Sequence, residues 1–145
     1  MEAKLKRKYK TEKNKPIEDL LNDIAGVRLI CFDVKQIYQI VKQLRRFGEF
    51  EIVKEKDYIK NPKDNGYQSY HMVLKKDDIK VELQIRTILM DAWSSLESIL
   101  IYKKTTPIPE KLKKDILDFS KKSKKLDKMI ERILESCVQS DAIHK

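Results

Sequence analysis

Cysteine is nearly absent: Cys31 and Cys137 are the only two in 145 residues. Their number excludes a disulfide framework, and their separation excludes the close thiolate spacing of a structural metal site. Long apolar runs are missing as well. No stretch approaches the roughly 18 to 20 apolar residues of a membrane span, and the basic opening MEAKLKRKYK is not followed by the apolar core of a secretory signal. One soluble domain in a reducing cytoplasm is the expected setting, since 145 residues suffice for one core but not for two independent ones.

What the chain has in excess is positive charge. A formal +9, from 32 Lys and Arg against 23 Asp and Glu, points to anionic partners without choosing between nucleotides, nucleic acid and acidic surfaces. The excess is uneven: basic residues dominate Met1 to Lys15, and KKSKK spans Lys121 to Lys125. The second cluster reads first as a solvated face.

Hydrophobic periodicity alternates along the chain between the strand and helix values, which is an α/β order. Residues from about Ile17 to Leu21 read as a short helical piece, and GVRLICF (Gly26 to Phe32) as a buried strand, short, β-branched and bounded by Gly and Asp. VKQIYQIVKQLRRF sets Val34, Ile37, Val41 and Leu44 at helical spacing, with Asp33 as N-cap and Gly48 as stop. FEIVKEK is a second strand, NPKDNG has turn chemistry, and YHMVL and IKVELQIR pair as a hairpin across KKDD. From Thr87, a cap, onward, Ala92, Trp93, Leu96, Ile99 and Leu100 make a helix face. The expected fold is α/β (α+β), a mixed sheet of about four or five strands flanked by helices.

Two prolines in TTPIPE separate the remainder, so residues 1–104 are expected to form the main domain and 105–145 a C-terminal helical extension. There Leu112, Ile116, Phe119, Ser123, Leu126, Ile130, Ile133 and Cys137 recur in steps of four and three, a heptad-like period of about 3.5. Such a helix either meets another copy of the chain or folds back on its own domain.

With KKDD as the turn and Leu74 opposite Ile79, Met72 faces Val81 and Tyr70 faces Leu83, so one side of the hairpin is wholly apolar. Ile79, Val81, Leu83 and Ile85 are expected inward. The other side carries His71, Val73, Lys80, Glu82, Gln84 and Arg86, with His71 opposite Glu82. A one-residue slip would bury Lys80 and Glu82, which the cost of burying unpaired charge forbids. Alternation alone fits a face that merely meets water as well as one that does chemistry.

A second carboxylate strengthens the chemical reading. NDIAGVR places Asp23 before a strand, then Gly26, which permits close backbone approach, and Arg28. Two carboxylates at the mouth of a sheet suit Mg²⁺ on a triphosphate, whose oxygens complete the octahedron. Lys54, Lys56, Lys60 and Lys63 can neutralise phosphate charge, and Tyr67 beside Gly66 offers a flat face to a base, or a plain loop anchor. An open stacking platform would leave Tyr67 exposed at the cleft mouth.

DIAGVR, KDYIKNPKDNGYQSYH, VELQIRT and MDAWSSLE occur in the order and spacing of the RelA/SpoT-type alarmone synthetases, and the compact chain resembles the small single-domain members, from about Lys4 to Lys104. The resemblance implies a nucleotidyltransferase-like sheet and a GTP pyrophosphokinase that moves the β,γ-pyrophosphate of ATP to the 3′-hydroxyl of GTP or GDP, making (p)ppGpp in the stringent response. By motif it implies that Asp23 and Glu82 are catalytic and hold Mg²⁺, Glu82 also serving as general base. Tyr67 would stack on guanine, and Lys56, Lys63, Asn65, His71 and Gln84 would orient GTP or GDP. Lys4, Arg7 and Arg28 would grip ATP. Related small synthetases assemble, so a homo-oligomer, dimer or tetramer, is expected.

The chain departs from the family pattern in three places. A basic Arg-x-Lys-Ser segment that grips ATP precedes the stretch resembling AKLKRK in the small synthetases, and here the sequence is expected to start after it. Ser98 follows Glu97 where His is common, and the hairpin turn is short. An active synthetase is the first expectation. A guanine-nucleotide-binding relative deficient in donor binding, or a toxin-like member acting on tRNA 3′ ends, are the alternatives; Asp23, Glu82 and Tyr67 together favour the first. With only His71 and His144 and no phosphohydrolase motif, alarmone breakdown is not expected.

Overall fold

The structure, a computed structural model, describes residues 25–102 and 108–143. Strands β1 (Ala25–Cys31), β2 (Glu51–Asp57), β3 (Tyr70–Lys76) and β4 (Ile79–Thr87) alternate with helix α1 (Val34–Phe47) and are followed by α2 (Ile88–Tyr102) and α3 (Glu110–Ile143). The sheet order is β1-β4-β3-β2. β1 runs parallel to β4, whereas β4, β3 and β2 are antiparallel neighbours, so the sheet is mixed as expected.

The caps act where the residue types put them. Asp33 accepts from the Gln36 amide at 2.7 Å, and Gly48 ends α1 in the left-handed region at φ 70°. Thr87 Oγ1 accepts from the Met90 amide at 3.1 Å and starts α2. Because Cys31 pairs with Thr87 in the parallel ladder, α1 and α2 leave the sheet from the same end. Ile37 and Val41 of α1 then pack on Tyr70, Met72, Leu74, Leu83 and Ile85, the apolar face of the hairpin.

The hairpin register differs from the sequence expectation by two residues. Lys76 faces Ile79, Leu74 faces Val81, Met72 faces Leu83 and Tyr70 faces Ile85, so His71 lies opposite Gln84 and Val73 opposite Glu82. The turn is the two-residue Asp77-Asp78, closed by Asp77 at φ 54°. Since side chains alternate with period two, this shift preserves both faces. The tighter turn carries the ribbon past the core, which leaves Ile79 60% exposed and Val81 half-buried.

Three further expectations are corrected. β1 is not a buried strand: it lies on the edge of the sheet formed by the described residues, and Val27 is 49% and Ile30 43% exposed, with only Cys31 buried. On α2, Trp93 is buried but Ala92, Leu96 and Ile99 are exposed; Met90 and Ser94 complete the inward side. On α3 the heptad-like seam is not buried as one stripe: of its members only Ile116 and Ser123 are fully buried. Ile116, Ser120, Ser123 and Asp127 face the domain, while Phe119, Leu126, Met129 and Ile133 are exposed. Polar bonds hold α3 down: the Trp93 indole donates to the Ile116 carbonyl at 2.9 Å, and the Thr87 hydroxyl to Asp127 at 3.0 Å. The helix folds back on its own domain. The helical piece expected near Ile17 to Leu21 lies outside the described residues.

Candidate active site

The polar face of β2, β3 and β4 opens into a cavity of about 240 Å³ lined by Lys54, Lys56, Tyr58, Lys63, His71, Val73 and Glu82. Alternation puts His71 and Glu82 there, because Tyr70, Met72, Leu83 and Ile85 between them are taken by the core. Glu82 therefore points to the cleft side.

The Glu82 carboxylate is held through both oxygens. His71 Nδ1 is 3.1 Å from Oε1, and Gln84 Nε2 donates to Oε2 at 3.3 Å. Behind them, Tyr67 Oη lies 2.6 Å from His71 Nε2, and Arg86 Nη2 donates to Tyr67 Oη and to Gln84 Oε1, each at 2.7 Å. An arginine can only donate and a carboxylate only accept, which orients the chain: Tyr67 gives its proton to Nε2, and His71 donates from Nδ1. Burial pushes the His71 pKa below the usual histidine value, with Arg86 and Lys63 acting in the same direction against the pull of Glu82. A neutral imidazole matches that bonding pattern.

The loop before β3 is built to present Tyr67. The Asp57 carboxylate receives the amides of Ile59 and Lys60, each at 3.0 Å, and the Asn65 side chain receives the Tyr67 amide at 3.1 Å. Gly66 has φ 90°, and a Cβ there would lie 2.8 Å from the Ser120 Cβ. The Ser120 hydroxyl donates to the Gly66 carbonyl at 2.6 Å and accepts from Gln68 at 3.1 Å. Glycine is thus required by conformation and by the close passage of α3.

Tyr67 is half-buried rather than open. Its ring meets Tyr58, His71 and Trp93 edge-on, and the Lys63 ammonium sits 4.8 Å from its centroid. The expectation of an exposed platform took no account of these ring contacts, of which Trp93 is the one distant in sequence. Lys56 and Lys63 line the cavity. Lys60 does not: its ammonium lies 5.3 Å over the Tyr38 ring. Asn65 donates to Glu97 at 2.9 Å instead of lining the cavity. Arg28 pairs with Asp91 at 3.0 Å, the carboxylate that also pairs with Arg86 at 3.3 Å. A Cβ at Gly26 would meet no atom of the described residues within 4 Å. Lys4, Arg7 and Asp23 lie outside the described residues.

Sequence reasoning passed over Tyr58, Asp91 and Glu97, and gave Arg86 a face but no task. For Arg86 a signal existed, a third polar residue after Glu82 and Gln84 at period two; its partners did not show.

A family profile described as the region found in RelA / SpoT proteins matches residues 2–107. GTP pyrophosphokinase YwaC of Bacillus subtilis (strain 168) is 38% identical over 132 residues, 86% of this chain and 63% of that protein. GTP pyrophosphokinase YjbM of the same organism is 34% identical over 131 residues, 83% of this chain and 62% of that protein. The chain thus spans less than two thirds of either relative's length. Small alarmone synthetase 2 from Bacillus subtilis superposes with a TM-score of 0.83 at 34% identity, over 91% of this chain and 74% of that one. Small alarmone synthetase 1 from Bacillus subtilis, bound to its product pppGpp, gives 0.79 at 30%, over 93% and 73%. Motifs, sheet order and matched length converge: the chain belongs to the RelA/SpoT family and has the fold of its small alarmone synthetases.

Proposed function

We propose that this chain is a GTP pyrophosphokinase that transfers the β,γ-pyrophosphate of ATP to the 3′-hydroxyl of GTP or GDP, forming (p)ppGpp and AMP. The observation that carries the reading is the Glu82 carboxylate, oriented by His71 and Gln84 in a cavity rimmed by Lys54, Lys56 and Lys63. It is supported by the similarity to Bacillus subtilis small alarmone synthetase 1, solved bound to pppGpp and bound to AMPCPP.

In this reading the acceptor 3′-oxygen attacks the β-phosphorus of ATP, the bond from that phosphorus to the α,β-bridging oxygen breaks, AMP leaves, and Glu82 takes the hydroxyl proton. Lys56 and Lys63 meet phosphate charge. For guanine to stack on Tyr67, the Lys63 ammonium now beside that ring swings toward the phosphates. His71, Gln84 and Asn65 orient the acceptor, the last through the loop it closes, and Lys4, Arg7 and Arg28 hold ATP.

Glu82 fits Mg²⁺, a hard cation that needs only one or two carboxylates when phosphate oxygens complete its shell. Among the described residues no cluster of three or more acidic, His or Cys ligands occurs, so Glu82 and Asp23 would hold the ion together with the nucleotide. When bound it neutralises the triphosphate.

Residues 1–104 form the synthetase domain in this proposal and 105–145 its helical extension. The exposed apolar residues Phe119, Leu126, Met129 and Ile133 of α3 support a homo-oligomer. No described helix is long and apolar enough to cross a membrane, and a cytoplasmic location is proposed. The test is incubation with labelled ATP, GTP or GDP and Mg²⁺, reading AMP and the pyrophosphorylated product together. Formation of both in equal amounts is expected; guanine nucleotide binding without product would overturn the synthetase reading in favour of a donor-deficient relative.

A further inference from the structure

Arg86 is 3% exposed, the most enclosed cation among the described residues. A buried guanidinium needs compensation, and Asp91 supplies it at 3.3 Å, itself tied to Arg28 at 3.0 Å. The remaining donors have another use. From Nη2 one hydrogen bond runs to Tyr67 Oη and one to Gln84 Oε1, both 2.7 Å. Each receiver passes a donor onward. Tyr67 reaches His71 at 2.6 Å and His71 reaches Glu82 Oε1 at 3.1 Å, while Gln84 reaches Glu82 Oε2 at 3.3 Å. Two donor arms leave one arginine and converge on the two oxygens of one carboxylate.

We propose that Arg86 is a positioning residue for the transfer reaction, acting through the Tyr67–His71 and Gln84 arms to fix both oxygens of Glu82. This rests on Glu82 being the general base of the reading above. The planar fork suits the task, because a guanidinium offers several donors in fixed directions, whereas a lysine ammonium is a single point on a flexible stem. The Asp91 carboxylate also pairs with Arg28, so both arginines meet at one carboxylate.

The test uses the full chain. Arg86→Lys keeps the charge and is expected to remain folded by circular dichroism, to bind GDP within about threefold of wild type, and to lose at least about tenfold in kcat, in the range that misplaced catalytic groups cost. Tyr67→Phe keeps the ring and removes one arm; a kcat loss of about fivefold or more with little change in KM is expected. In the double-mutant cycle the combined loss is smaller than the product of the single losses, because the Tyr67 arm is common to both changes. A folded Arg86→Lys variant with kcat within twofold of wild type overturns the inference, as do losses confined to KM or losses that multiply. If Arg86→Lys does not fold, Tyr67→Phe decides alone, and kcat unchanged within twofold overturns it. Crystal structures of the wild type and Tyr67→Phe give a readout independent of turnover. Displacement of His71 from Glu82 Oε1 in the variant is expected, and a Glu82 that keeps both contacts unchanged overturns the inference even if the wild-type chain makes no product, a result that would strike the synthetase reading separately.

Discussion

At the scale of single residues, the proposed roles assign chemistry to Glu82 and guanine binding to Tyr67, and their substitutions are expected to fail differently. Glu82→Gln preserves shape but cannot take a proton, so turnover is expected to fall at least about a hundredfold, the weight of a positioned acid–base group, while GDP binding measured by calorimetry without ATP persists. Tyr67→Ala is expected to do the reverse to binding, abolishing GDP affinity with the fold intact. Gly66→Ala tests the loop. A methyl group would stand 2.8 Å from the Ser120 Cβ in a backbone at φ 90°, and a strained position of that kind costs about 1 to 3 kcal/mol. A lowered unfolding midpoint together with weakened GDP binding is the expected outcome; unchanged values for both would show that α3 can give way.

At the scale of elements, the decisive packing is α3 against the start of α2. Asp127 is buried, accepts from Thr87 at 3.0 Å and leaves its other oxygen without a partner. Burial raises its pKa from 3.8 to about 6, with the nearby Asp33 charge adding to the rise and the Thr87 bond opposing it. The folded protein therefore holds a proton that the unfolded chain releases between these values. Stability from this group is full below the unfolded pKa and is lost as pH rises through about 6. Asp127→Asn cannot ionise. Its unfolding midpoint relative to wild type is expected to improve between pH 4 and pH 7, by a free energy on the order of 1 to 3 kcal/mol; a difference independent of pH would contradict the buried-carboxyl assignment. His71 has the opposite sign: its lowered pKa favours the neutral imidazole, so its contribution is full above the unfolded histidine value and declines as pH falls below it.

At the scale of the whole molecule, the question is what meets the outer face of α3. Leu126 is 43% and Ile133 54% exposed, flanking the buried stripe of Ser120, Ser123 and Asp127. Replacing both by glutamate is expected to leave the circular dichroism spectrum and melting transition in place while converting an oligomer to a monomer by light scattering. A monomeric wild type at micromolar concentration, or an unfolded variant, would remove the seam as an interface. The variant is expected to fold, because the helix is docked through Ile116, Ser120, Ser123 and Asp127 and not through these two side chains.

Much of this molecule was legible locally. Asp33, Gly48 and Thr87 are caps whose chemistry depends on neighbours within four residues, and alternation in β3 and β4 sorted Glu82 from the core because period two survives any even shift of register. What escaped is non-local. The two-residue turn at Asp77-Asp78 moved every cross-strand pair, and edge placement exposed β1 although its composition matches a central strand. The buried stripe of α3 includes Ser120 and Asp127 because they meet the Gly66 carbonyl and the Thr87 hydroxyl, groups no helical periodicity can reveal. Arg86 is the sharpest case. The sequence determined by itself that an arginine stands at period two from Gln84, but only the tertiary structure closed Tyr67, His71 and Glu82 around it, since hydrogen bonds between residues up to 19 positions apart exist only once the chain has folded.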